Sequence, residues 1–194
     1  MLDISTILDA ETSQDVRDLI DEVKKEFGDV VWNDVGGREN NLATINMGTD
    51  PAGALTERLT NAIDAVLDHE WHRKGRPSNI ASPREAVESW FDIKDGKLVN
   101  VGSLRDDDIT SIRDRIHVTL RSSGKENRPT IDVRDKGIGV KAEDFSESIL
   151  SLNRSRKMKK FHLAGAFGQG GSTALAYSEY TLIASKKASV ERDG

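Results

Sequence analysis

Asp50-Pro51-Ala52-Gly53-Ala54-Leu55-Thr56-Glu57-Arg58-Leu59-Thr60-Asn61-Ala62-Ile63-Asp64-Ala65 is the stretch on which the reading of this chain turns. Asp50 supplies a side-chain acceptor for a first helical turn, and Pro51 needs no donor there, so a helix is predicted to begin near Pro51. Ala54, Glu57, Asn61 and Asp64 recur at three, four and three residues and share one face. Leu55, Leu59, Ala62 and Val66 form an apolar stripe beside it. Two carboxylates and a carboxamide are thereby held together next to a packed surface, an arrangement suited to a metal ion, a phosphate chain and a positioned water. The helix is expected to end near His69-Glu70-Trp71-His72-Arg73-Lys74, before Gly75 and Pro77. His69 and His72 have the spacing of a metal-chelating pair. With no third ligand nearby, the preferred reading is a helix terminus carrying groups that suit the negative end of its dipole.

Two later stretches narrow the chemistry. Thr130-Ile131-Asp132-Val133-Arg134-Asp135-Lys136-Gly137-Ile138-Gly139 reads as an alternating strand that ends at Asp135 and enters a turn. Gly165-Ala166-Phe167-Gly168-Gln169-Gly170-Gly171 is a glycine-rich loop running into Ser172-Thr173-Ala174-Leu175-Ala176-Tyr177, a predicted helix start. The loop is neither a dinucleotide fingerprint nor a P-loop. In this order and spacing the three motifs resemble the nucleotide-binding domain of the GHKL ATPases, the superfamily of gyrase B subunits, large heat-shock chaperones, MutL and MORC proteins and histidine kinases. The resemblance covers roughly residues 51–185.

That resemblance implies an α+β fold: a two-layer α/β sandwich of the Bergerat type, with a mixed, mostly antiparallel sheet and helices on one face. It implies one ATP-binding domain over residues 1–194, with 76–118 as a family-variable insertion and 140–164 as a lid over the nucleotide. A Gly-Thr signature of later family strands has no counterpart, so the expectation is an N-terminal fragment whose domain continues past residue 194. By the same resemblance Glu57 orients and activates the attacking water, and Asn61 is the protein's contact to magnesium. Asp64 holds the motif together or touches the ligand through water. An ionised carboxylate is an acceptor only, so Asp135 suits the exocyclic amine of adenine and rejects the carbonyl of guanine. Gly137 and Gly139 let the backbone turn closely beneath the base. Gly165, Phe167, Gly168, Gln169, Gly170, Gly171 and Ser172 are expected around the phosphates, where backbone donors and a helix N-terminus favour anions. Lys157, within Ser155-Arg156-Lys157, is the lid cation expected to face them.

Elsewhere the chain reads as ordinary scaffold. Thr12-Ser13-Gln14-Asp15 is expected to cap a packing helix through Val16, Leu19, Ile20, Val23 and Phe27, stopped by Gly28. Val30-Val31-Trp32 and Leu42 to Met47 are candidate strands. Ser82 is expected to cap a helix through Trp90-Phe91, Asp92 to Val101 to form a hairpin turning at Asp95-Gly96, and Asp106-Asp107-Asp108 to open a helix through Ile109, Ile112 and Ile116. His117 to Arg121 is expected to pair with Pro129 to Val133. Phe145, Ile149 and Leu152 mark a short helix, Tyr180 to Ser185 a strand, and Ser189-Val190-Glu191 the start of its partner.

The 194 residues suit a single domain with a real core. A formal net charge of −5 offers no whole-domain attraction for nucleic acid, and the absence of cysteine removes disulfides and thiolate metal sites. No signal peptide or apolar run of spanning length is present in the sequence, so the expectation is a cytoplasmic protein with no membrane partner. The expected cofactors are ATP and Mg2+. The expected partners are a second copy in an ATP-dependent homodimer, downstream domains of the same chain and, through the full-length protein, nucleic acid. The resulting reading is an ATP hydrolase used as a lid-closing switch in DNA processing, defence or chaperone work. The alternatives are histidine-kinase-type phosphotransfer and a nucleotide-binding regulatory module without turnover. Glu57 argues against the kinase, as does the lack of any histidine before His69.

Overall fold

The computed structural model describes residues 4–33, 50–145, 160–165 and 177–190. Helix and strand are mixed, so the chain is α+β. The helices are α1 (Ile4–Asp9), α2 (Ser13–Phe27), α3 (Pro51–Arg73), α4 (Pro83–Phe91) and α5 (Asp106–Arg113), and the strands are β1 (Ile116–Arg121) and β2 (Thr130–Asp135). Among the described residues the sheet has two antiparallel strands, not the layer of a larger sandwich.

Local chemistry explains where the helices begin. Before α2, the Thr12 hydroxyl accepts the Asp15 N–H at 3.2 Å while the Asp15 carboxylate accepts the Thr12 N–H at 2.8 Å, a reciprocal cap. The helix stops at Gly28, whose φ is 89°. Val16 and Leu19 are buried, whereas Phe27, expected on the packed face, is exposed. α3 starts as predicted: the Asp50 carboxylate accepts the Ala52 N–H at 2.9 Å and Pro51 opens the first turn. Ser82 caps α4 by accepting the Glu85 N–H at 3.2 Å.

The core lies where α4 packs on α3. Leu67, Ile80 and Ala86 are buried, with Val87, Trp90, Phe91 and Leu163 against them. Burying each large apolar side chain is worth about 1.5–3 kcal/mol, so residues 76–91, from the stretch expected as a variable insertion, help hold the motif helix in place. Beneath this, the buried Glu70 of α3 binds the guanidinium groups of Arg73 and Arg115. Burial alone would raise its pKa, but those hydrogen bonds and charges hold its carboxyl below the usual value. Arg115 immediately precedes β1, and its carbonyl accepts the Lys136 N–H at 2.8 Å, so this ion pair fixes the sheet's end against α3.

β1 and β2 pair in a register that sets Ile116 opposite Asp135 and Arg121 opposite Thr130. Their polar face takes the α1–α2 junction: Arg121 pairs with the Glu11 carboxylate, Thr130 donates to the Glu11 carbonyl, and Arg134 donates to the Leu8 carbonyl at 3.1 Å.

Several sequence expectations need correction. The hairpin over Asp92 to Val101 is replaced by 3-10 turns at Lys94–Gly96 and Leu98–Ser103. Asp92, Asp95 and Gly96 all take positive φ, which coils the chain instead of extending it. Glu88 then fixes the coil by accepting the Asp95 N–H at 3.1 Å. α5 ends at Arg113, and Ile116 belongs to β1. Val30 to Trp32 form no strand, and Val31 and Trp32 are exposed. Tyr180 to Ser185 is also no strand, nor are Ser189 and Val190. That segment is tied at its ends: Glu179 to Lys125 at 2.6 Å, Ser185 Oγ to the Val140 N–H at 3.0 Å, and the Ala188 N–H to the Ile138 carbonyl at 3.0 Å. β-propensity alone does not make a ladder where no strand edge is paired. Residues 42–47, Ile149, Leu152, Glu191 and the helix start at 172–176 lie outside the described residues.

Candidate nucleotide site on the motif helix

Helix α3 places Glu57 and Asn61 half-buried and Asp64 fully within the protein, at 3% exposure. Asp64 is the hub. Its two carboxylate oxygens accept the Ala164 N–H at 2.7 Å and the Gly165 N–H at 3.0 Å. The glycine-rich segment therefore begins on the helix that carries Glu57 and Asn61. A buried carboxylate is tolerated here because charge-assisted bonds to main-chain donors satisfy both of its oxygens.

The turn after β2 meets the same helix one residue on. The Ile138 N–H donates to the Ala65 carbonyl at 2.9 Å. Gly137 lies so close that a Cβ there would stand 2.5 Å from the Ala65 Cβ and 2.6 Å from Asp135 Oδ1, so only glycine lets the two backbones approach. Gly139, at φ +59°, has its vacant Cβ direction filled by the Lys186 carbonyl. Just before these glycines, at the end of β2, Asp135 reaches solvent, and one of its oxygens accepts the Gly137 N–H at 2.9 Å. Neighbouring protein crowds the carboxyl, and this desolvation raises its pKa above the usual carboxylate value, while the Gly137 hydrogen bond only partly offsets the effect. An exposed carboxylate at a strand end is suited to a donor-bearing ligand edge.

Glu57, Asn61, Asp64, Asp135, Gly137, Gly139 and Gly165 are thus carried by elements joined directly to α3. Lys157, Phe167, Gly168, Gln169, Gly170, Gly171 and Ser172 lie outside the described residues. Asn61 and Glu57 offer hard oxygen donors of the kind magnesium prefers, and magnesium on a triphosphate needs as little as one protein contact. Among the described residues, no group of three or more His, Cys, Asp or Glu side chains is placed to hold a metal ion by itself.

Sequence reasoning missed a second contact on α3. Asp68, one turn beyond Asp64, accepts from Lys160 Nζ at 2.7 and 2.8 Å and stands 3.2 Å from His162 Nε2. Burial acts to raise the Asp68 pKa, but the His162 and Lys160 hydrogen bonds and the Lys160 and His72 charges bring it down to about 2. His162, 3% exposed, stacks on Trp71 at 5.0 Å and tilts against Trp90 at 5.6 Å. Lys160, in the stretch expected as a lid, is engaged with Asp68 and lies 5.2 Å from the Trp71 ring centre. No local signal announced this contact, because its partners lie more than ninety residues further along the chain.

His72 accepts from Arg76 at 3.3 Å and packs edge-on to Trp71, which accounts for it as part of a helix terminus. No described helix is long and apolar enough to cross a membrane. No family model, no curated protein and no solved structure matches this chain.

Proposed function

We propose that this chain binds Mg-ATP against α3 and hydrolyses it, as the motif resemblance implies. The observation that supports this reading most is the double attachment at Asp64 and Ala65. One residue receives the start of the glycine-rich segment, and the next receives the turn that follows Asp135. Two stretches, one of them about a hundred residues away in the chain, meet two adjacent positions of one helix.

In this proposal Asp135 accepts the amine of adenine, and its raised pKa marks a carboxylate whose negative form gains when a donor arrives. Gly137 keeps the purine side of the pocket open by letting the turn lie flat on α3. Backbone N–H groups at and after Gly165 bind the phosphates. Asn61 would hold the magnesium ion, which supplies charge neutralisation for the phosphates when bound. Glu57, one turn before Asn61, orients a water and takes its proton as that water attacks the terminal phosphorus and the bond to the leaving diphosphate breaks. Asp64 positions the glycine-rich segment instead of touching the nucleotide. The domain would be of the Bergerat type, and nucleotide binding would drive a lid-closing, dimerising switch.

The test is calorimetric titration of Mg-ATP and Mg-GTP into the wild type and Asp135→Asn. The wild type should bind ATP and discriminate against GTP. Losing the charged acceptor should weaken ATP by about ten- to a hundredfold, the worth of one charge-assisted hydrogen bond. Wild-type affinity in Asp135→Asn would reject the adenine role.

A further inference from the structure

We infer that Asp68 is a positioning residue for the nucleotide site: with Asp64 it clamps residues 160–165 to α3 and so sets where the glycine-rich segment begins. The inference rests on the nucleotide-binding reading above.

The clamp has two carboxylate jaws on successive turns of one helix. Asp68 grips the near end of the strap through Lys160 and His162. Asp64 grips the far end through the Ala164 and Gly165 amides. Between the jaws, Leu163 packs against the Leu67–Ile80–Ala86 core. His162 fills the space between Trp71 of α3 and Trp90 of α4, so the strap is keyed to both helices. Polar, aromatic and apolar partners thus alternate along six residues. Sliding the strap by one residue would set Leu163 against a carboxylate and a histidine into the core. One register therefore wins, and the first glycine of the phosphate-facing segment is delivered to a fixed point on α3.

The ion pair is the part that can be changed without disturbing the core. Lys160 and Asp68 side chains are 29% and 13% exposed, so their attraction is stronger than that of a surface pair. Asp68→Asn keeps the shape and removes the charge. Lys160→Met keeps an unbranched stem beside Trp71 and removes the other charge. In the double variant Asp68→Lys with Lys160→Asp the pair is reversed.

Two measurements read the clamp. Amide hydrogen exchange at Ala164 and Gly165, without ligand, should speed up by about tenfold or more in Asp68→Asn and Lys160→Met. Mg-ATP affinity by calorimetry should fall by about tenfold in the same variants, within the range typical of coupled sites, with kcat changed far less than KM. The charge-reversed pair should recover part of both. Unchanged exchange in both single variants, with a cooperative melt showing that they fold, would overturn the clamp. Faster exchange with unaltered ATP affinity would overturn the positioning role. If the wild type itself binds no nucleotide, the functional reading fails, and the exchange data still decide the clamp separately.

Discussion

Replacing Asp64 by alanine should loosen the glycine-rich segment and the protein together. Two main-chain donors, Ala164 N–H and Gly165 N–H, lose a charged acceptor at 2.7 and 3.0 Å. Charge-assisted hydrogen bonds contribute about 1.5–3 kcal/mol each, which sets a ceiling of about 3–6 kcal/mol. Ala164 is exposed and Gly165 half-buried, so water replaces part of what is lost. The expected destabilisation is therefore about 2–4 kcal/mol, read from urea unfolding midpoints at constant slope. Asp64→Asn should be nearly as costly, because one arm of the amide would present a donor to an N–H. Mg-ATP titration on the same variants should show weakened binding, since the segment's start is released. Stability within about 0.5 kcal/mol of wild type, the range of ordinary surface substitutions, would refute the hub role of Asp64. Lowered stability with intact affinity would separate that hub from the ligand.

Three further outcomes follow from the same contacts. Glu57→Ala should retain Mg-ATP binding and lower turnover by about a hundred- to ten-thousandfold, measured as phosphate release; an unchanged rate would place water activation elsewhere. Gly137→Ala forces a Cβ to within 2.5 Å of Ala65 and should lower stability by about 1–3 kcal/mol, visible as a reduced melting temperature, while also weakening ATP. The Asp68 carboxyl falls from 3.8 to about 2 on folding, so its contribution is present above pH 4 and is lost as pH drops from 4 to 2. That difference is worth at most about 2.4 kcal/mol, or about 1–2 kcal/mol after solvent screening, and Asp68→Asn should lose less stability than wild type across that acid range.

The local signals were legible. Asp50-Pro51, Thr12 with Asp15, and Ser82 each announced a helix start because a capping side chain and its amide lie within a few residues of one another. The β1–β2 pairing was visible in the alternation on both sides of a polar loop, and it delivers Asp135 to the strand end as expected. What stayed hidden depends on partners far apart in the chain. Lys160 and His162 meet Asp68 across more than ninety residues, and Arg115 meets Glu70 across forty-five. Nothing in the neighbourhood of either carboxylate foretells those contacts. The coil at Asp92 to Ser103 was missed for another reason: Asp-Gly suits a hairpin turn, but positive φ at Asp92 and Asp95 winds the chain before a strand can extend. The Asp64 role was foreseen only as one of two options, and its contacts to two amides support the tether.

The proposed site combines a purine acceptor at the end of β2, a magnesium ligand on α3 and the start of a phosphate-binding segment tied to α3. A crystal structure with a non-hydrolysable ATP analogue and magnesium tests it most directly. The account predicts the adenine amine within hydrogen-bonding distance of the Asp135 carboxylate, the metal on Asn61, and the triphosphate along residues 165–171. A purine bound away from Asp135, or phosphates held by another part of the chain, would contradict it.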